Sequence, residues 1–161
     1  MYSPSMPDQA SAPLCVIALG GNLGDTESYF LRAVESLRSG GFRIRKVSSF
    51  IRTEPEGMAP GTAAFLNGVL SGFWDGSAFE LLRLCQRIET ENGRPADHAH
   101  YVSRTLDLDI VLFGRQAIQE PELTIPHPLA VHRTFVMIPL REIEPEAADW
   151  LEKNHSVSTG K

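Results

Sequence analysis

Two acids one residue apart, Asp107 and Asp109, stand in the stretch Arg104-Thr105-Leu106-Asp107-Leu108-Asp109-Ile110-Val111-Leu112-Phe113-Gly114. Its Leu, Ile, Val and Phe content and its closing glycine predict a β-strand. Alternation then puts Leu106, Leu108, Ile110 and Leu112 on one face, turned into a core, and Asp107, Asp109, Val111 and Phe113 on the other. Two strand rises separate the backbones of the acids by about 6.6 Å. At that distance two charges repel by roughly 2.5 kcal/mol at an effective dielectric near 20. A cation relieves the repulsion. Hard oxygen ligands on a stiff strand suit Mg²⁺, commonly held by one or two carboxylates together with phosphate oxygens. An isolated D-x-D more often marks two solvated surface acids, so its surroundings must decide.

Those surroundings hold bases and aromatic rings. Arg94 and Arg104 flank a segment without periodicity, and His127 and Arg133 follow the strand. Guanidinium forks match phosphate oxygens in pairs, which suits a triphosphate bound with Mg²⁺. Taken singly, each arginine reads equally well as a solvated surface charge. Phe65, Asn67 and Phe135 form a further group. An asparagine offers both donor and acceptor to the edge of a flat, pteridine-like heterocycle. Two phenyl rings around such a heterocycle would contribute on the order of 1–3 kcal/mol per face. Core packing is the stronger reading for the phenylalanines on their own. Asn67 within an apolar strand is different, because a buried amide needs partners.

The elements that must position these residues follow in order. Residues 1–13 are Ser, Pro, Ala and Met in irregular order and read as a flexible tail ahead of a single domain over 14–153. Leu14 to Leu19 is a continuous apolar run, expected as a central strand. Gly20-Gly21-Asn22-Leu23-Gly24 matches neither G-x-G-x-x-G nor the P-loop and is expected as a structural turn. Asp25 caps a helix carried by Phe30, Ala33, Val34 and Leu37, ending at Gly40-Gly41. Phe42 to Ile51 reads as a strand, Thr53 to Thr62 as a loop rich in Pro and Gly, and Phe65 to Trp74 as the next strand. Ser77 and Glu80 form a capping box ahead of a helix through Leu81, Leu82, Cys85 and Ile88, closed by Asn92-Gly93, with Gln86 and Glu89 expected on its polar face. Beyond Gly114 a small hairpin over 115–125, a turn at Pro126-His127-Pro128, a short helix over Phe135 to Ile143, and a flexible tail over 154–161 complete the chain. The order strand, helix, strand, strand, helix, strand is that of an α+β, ferredoxin-like βαββαβ antiparallel sheet flanked by helices. Such a fold does not by itself define a function.

Bulk properties exclude several classes. With 161 residues, 42% apolar and 22% charged, the chain suits one globular domain. A net charge of −5 argues against a nucleic-acid or anionic-membrane partner. Cys15 and Cys85 lie in apolar runs and read as buried free thiols of a cytoplasmic protein. The longest apolar run near the start is too short to span a bilayer.

Taken together, Phe65-Leu66-Asn67, Gln86-Arg87-Ile88-Glu89, the Arg104 to Gly114 strand, Ile125-Pro126-His127 and Phe135 closely resemble the 6-hydroxymethyl-7,8-dihydropterin pyrophosphokinases, from about Val16 to Glu144. The resemblance implies transfer of pyrophosphate from ATP to a pterin alcohol in folate biosynthesis, with release of AMP. By the same resemblance Asp107 and Asp109 bind two Mg²⁺ ions. Phe65 and Phe135 sandwich the pterin, while Asn67 and backbone near Thr53 read its edge. Gln86, Glu89, Arg94, Arg104, Ile110 (through its backbone), Thr124, His127 and Arg133 hold ATP, with Arg94 and Arg104 counted among the catalytic groups. ATP and the hydroxymethyl-dihydropterin are the expected partners of a monomer. The chain departs from the family pattern at Glu56, Ala96, Asp97, Tyr101, Val102-Ser103 and Leu129. A diverged enzyme for a modified pterin, or a pterin- or nucleotide-binding protein without catalysis, remains an open alternative.

Overall fold

A computed structural model describes residues 12–22, 24–54, 64–93 and 106–159. The strands are β1 (Leu14–Gly21), β2 (Arg43–Val47), β3 (Ile51–Thr53), β4 (Phe65–Phe73), β5 (Asp107–Phe113), β6 (Ile118–Glu120) and β7 (Leu123–Ile125). The α-helices are α1 (Thr26–Ser39), α2 (Ala78–Glu91), α3 (Thr134–Ile143) and α4 (Pro145–Thr159), with a 3₁₀ turn at Ala130–His132 before α3. The main sheet runs β2-β4-β1-β5, all pairs antiparallel, and β3 continues the edge of β2 along β4. This is the ferredoxin-like order expected from the sequence. Strands β6 and β7 form the small hairpin.

Helix signals are realised locally. Asp25 Oδ1 accepts the Ser28 backbone N–H, and Ser77 and Glu80 close both bonds of the capping box. Apolar stripes of α1 and α2 pack against Cys15, Ile17, Leu19, Leu66 and Leu70 on one side of the sheet. Helices α3 and α4 pack against Val16, Val69, Val111 and Leu112 on the other. Both thiols are buried. Burial pushes the Cys15 thiol up to about 12.

Strand β5 departs from simple alternation. Ile17 pairs with Ile110 and Val16 with Leu112, so Val111 is an extra residue opposite β1. Beyond this bulge the faces exchange. Leu112 therefore leaves the side of Leu106, Leu108 and Ile110 and joins the α3–α4 core, while Phe113 enters the α1–α2 core. The expected placement of both is corrected. The Phe42 to Ile51 strand is likewise split, since β2 and β3 are separated by Ser48-Ser49-Phe50. Ser48 bridges the gap: its N–H donates to Val69 O and its hydroxyl accepts the Val69 N–H, both at 2.9 Å. The turn expected at Gly20-Gly21 is strand, because β1 continues to Gly21. Helix α4 begins at Pro145 and runs past Asn154, where the composition reads as tail.

A buried carboxylate ties the α3–α4 corner to the sheet. Glu144 Oε2 accepts from the Ser71 hydroxyl at 2.6 Å and from Arg45 Nε at 3.0 Å. Close approach of the edge strand to β4 requires Gly72, where a β-carbon would sit 2.4 Å from Arg43 O and 2.5 Å from Phe42 Cε2. Gly72→Ala should destabilise the fold by about 1–3 kcal/mol through overpacking, read as a lower urea midpoint. An unshifted midpoint would show that β2 yields freely.

Candidate functional site

The α3–α4 side of the sheet opens into a cleft at the end where β1 gives way to α1. The sheet register builds its floor. Gly20 pairs with Asn67 on β4 and with Asp107 on β5, and Ala18 pairs with Val69 and Asp109. Two rows cross the sheet, and in each the central strand supplies a residue with almost no side chain. A gap therefore separates the Asn67 amide from the Asp107 carboxylate. A cavity of about 550 Å³ fills it, lined among others by Ala18, Gly20, Thr53, Phe65, Asn67, Asp107, Asp109, His127, Arg133 and Phe135.

Asn67 is buried and held. Its Nδ2 donates to Thr53 Oγ1 at 3.0 Å, across the β3–β4 pair. Its Oδ1 lies toward Gly20, 3.4 Å from where a β-carbon would stand. The amide thus presents a fixed edge to the cleft, as a buried polar group must be partnered. Phe65 and Phe135 are half-buried and enter from β4 and from the first turn of α3. The Arg133 guanidinium stacks over the Phe135 ring at 5.7 Å. The positive end of the α3 dipole opens on the same space.

The carboxylates occupy the other wall, Asp107 half-buried and Asp109 exposed. The bulge also fixes what stands next to them. The His127 backbone N–H donates to the bulged Val111 carbonyl at 3.0 Å, which docks the segment after the cis Ile125–Pro126 bond against β5. The His127 Nδ1 accepts the Leu129 N–H at 3.2 Å. Burial holds the His127 imidazole below its ordinary value, with Asp109 opposing and Arg133 reinforcing that shift. Among the described residues no group of three or more His, Cys, Asp or Glu could hold a metal. Two carboxylates alone fit a hard cation whose other positions go to water and phosphate.

Eight of the expected residues thus meet in one cleft: Thr53, Phe65, Asn67, Asp107, Asp109, His127, Arg133 and Phe135. Four others do not line it. Gln86 is exposed on α2, where its Oε1 accepts from Arg83 at 3.4 Å. Ile110 is core. Thr124 lies on β7. Glu89 is buried rather than on a polar helix face, a correction, with its Oε2 accepting the Leu108 N–H at 2.7 Å. Arg94, Arg104 and the divergent positions 56, 96, 97, 101, 102 and 103 lie outside the described residues. Sequence reasoning passed over Ala18, Gly20, Glu54 and His132, which also line the cleft. A small residue carries no local signal of a ligand-facing role; only the pairing of β1 with two polar neighbours gives it one.

The profile of the 7,8-dihydro-6-hydroxymethylpterin-pyrophosphokinase (HPPK) family matches residues 16–145. The 2-amino-4-hydroxy-6-hydroxymethyldihydropteridine pyrophosphokinase of Bacillus subtilis (strain 168) is 42% identical over 131 residues, which cover 81% of this chain and 77% of that protein. The protein of the same name from Porphyromonas gingivalis (strain ATCC BAA-308 / W83) is 36% identical over 132 residues, 80% of this chain and 89% of its own. A folate synthesis bifunctional protein of Arabidopsis thaliana is 34% identical over 128 residues, covering 80% of this chain but only 26% of the plant protein. By name these relatives are pyrophosphokinases or proteins of folate synthesis. The chain belongs to the 7,8-dihydro-6-hydroxymethylpterin-pyrophosphokinase family, and with it to the ATP-dependent diphosphotransferases.

Gly20→Val should place branched carbons between Asn67 and Asp107 while leaving the strand intact. We expect an unaltered far-ultraviolet circular dichroism spectrum and an affinity for hydroxymethyl-dihydropterin reduced by about tenfold or more, the equivalent of a modest overpacking penalty. Unchanged affinity by calorimetry would mean that the ligand does not lie on this floor.

Proposed function

We propose that the cleft transfers the terminal diphosphate of ATP to the hydroxymethyl group of 6-hydroxymethyl-7,8-dihydropterin. The hydroxyl oxygen bonds to the β-phosphorus. The bond from that phosphorus to the α–β bridging oxygen breaks, AMP leaves with the electron pair, and the hydroxyl proton passes to solvent. The observation that carries this reading is the row Asn67–Gly20–Asp107, which sets an amide able to read a heterocycle edge and a carboxylate across one open floor. Phe65 and Phe135 bracket the pterin in this reading, with Asn67 and Thr53 fixing its rotation. Positioning then brings hydroxyl and phosphorus into line.

Asp107 and Asp109 would hold Mg²⁺, which when bound neutralises triphosphate charge. Arg133 lines the same cleft and would meet phosphate oxygens with its guanidinium fork. His127, held toward its neutral form, suits a hydrogen bond to the nucleotide better than a charge contact. No side chain of the cleft needs to act as a general base, since charge stabilisation and alignment do most of the work in phosphoryl transfer. Arg94 and Arg104 join the phosphate-binding set by resemblance. The protein would act as a cytoplasmic monomer on these two small molecules.

Incubation with MgATP and the pterin should yield AMP and the pterin diphosphate in equal amounts. Binding of the pterin without product would replace this reading with a non-catalytic one, and product from a modified pterin alone would mark a diverged substrate. Asp107→Ala and Asp109→Ala should each lower turnover on the order of 10²–10³-fold with the fold retained. Near-normal turnover in either would remove the carboxylates from the chemistry. Phe135→Ala should weaken pterin binding by about 1–3 kcal/mol, the contribution of one stacked face, while ATP binding holds.

A further inference from the structure

Glu89 poses a question the cleft does not answer. It is 8% exposed, sits on α2 among Cys85 and Ile88, and does not line the cleft. A buried carboxylate is costly unless hydrogen bonds compensate it. Its Oε2 accepts the backbone N–H of Leu108 at 2.7 Å, a short charge-assisted contact. Leu108 is the residue between Asp107 and Asp109.

The sheet makes that amide a vulnerable one. Among the described residues strand β5 is an edge strand, paired within the main sheet with β1 alone. Along an antiparallel edge, successive N–H groups point alternately at the partner and away from it. With the Leu108 N–H turned outward to Glu89, those of Asp107 and Asp109 turn inward to Gly20 and Ala18, their register partners. The backbone between the two acids is thus held from both sides, by β1 within the sheet and by Glu89 from outside it. Cys85 reports the same closeness, since its thiol is pushed up by burial and then by Glu89 and Asp109.

Resting on the functional reading above, we propose that Glu89 is a positioning residue for the metal-binding pair: through the Leu108 amide it clamps the peptide between Asp107 and Asp109 and sets the spacing of their carboxylates. Two like charges about 6.6 Å apart on one strand favour a local twist that parts them. A free outward amide permits that twist and the Glu89 bond opposes it. The role differs from the direct ATP contact that family resemblance assigns to this residue. Partners of metal ligands commonly change metal affinity by about 10–100-fold when removed.

Three variants separate reach from charge. Glu89→Ala removes both, Glu89→Asp keeps the charge but withdraws it by one methylene, and Glu89→Gln keeps an acceptor at full length without the charge. The first readout is the Leu108 amide in ¹⁵N-labelled ligand-free protein. It should lose hydrogen-exchange protection in the Ala and Asp variants and keep it in the Gln variant. The second is Mg²⁺ titrated calorimetrically in the presence of an ATP analogue with a methylene bridge between the α and β phosphorus. Its affinity should fall by about tenfold or more in Ala and Asp and recover in Gln. The third is the affinity of the same analogue in EDTA, expected to be unchanged in all three.

Equal damage from Gln and Ala would overturn the clamp in favour of a charge effect. A matching loss in EDTA would return Glu89 to direct nucleotide binding. Protection of Leu108 unaltered in the Ala variant would show that the bond holds nothing. These arms require no turnover, so a wild-type protein that makes no AMP would reject the proposed reaction and leave the clamp to be judged on its own.

Discussion

The site depends on a strand that adds almost nothing to it. β1 lies between β4 and β5 and pairs with both over most of its length, so every row that joins those two strands passes through it. Had β1 carried bulky side chains at its upper end, the acids of β5 and the amide of β4 would have faced a filled core. Ala18 and Gly20 leave a trough instead. The lower half of the same face holds Val16 against Val69, Leu112 and α3, and the opposite face holds Cys15, Ile17 and Leu19. One strand thus anchors two cores and vacates a third space.

Strand β5 solves a related difficulty at the margin of the sheet. Among the described residues no strand pairs with its outer edge, so the backbone groups there need other partners. The Leu108 N–H goes to Glu89, and the Val111 carbonyl accepts from His127. The second of these depends on the bulge, which turns Val111 out of step and exchanges the faces beyond it. The first plug arrives from α2, in the core on the other side of the sheet from the cleft, and the second from the segment whose His127 lines it.

How far this was legible follows from where each signal is stored. Asp25, the Ser77–Glu80 box and the D-x-D strand up to Ile110 depend on neighbours a few residues away, and all read correctly. The exchange of Leu112 and Phe113 did not, because a bulge is defined by the partner strand and leaves no mark in local alternation. The split between β2 and β3 is set by Ser48 bonding to Val69, again a distant residue. Helix α4, with a weakly amphipathic pattern, follows α3 across a single residue, Glu144, and draws its place from packing of Ala148 and Leu151. The glycines at 20 and 21 resemble a turn in composition, yet extended pairing, of Gly20 with both neighbouring strands and of Gly21 with β4, overrides that tendency. Of the residues that the resemblance assigns to the pterin, Thr53, Phe65 and Asn67 sit on paired strands and Phe135 on the first turn of α3, and all four line the cleft; Gln86, Glu89 and Thr124 lie on elements that border the sheet and do not line it.

The thiols carry a practical corollary. Cys15 and Cys85 are sealed in the α1–α2 core, and burial keeps both in the unreactive protonated form at neutral pH. An alkylating reagent therefore meets them only when the core between β1 and α2 opens. The chain comes with its own pair of buried reporters, one on β1 and one on α2, and the pace of their modification follows the opening of that core without any introduced label.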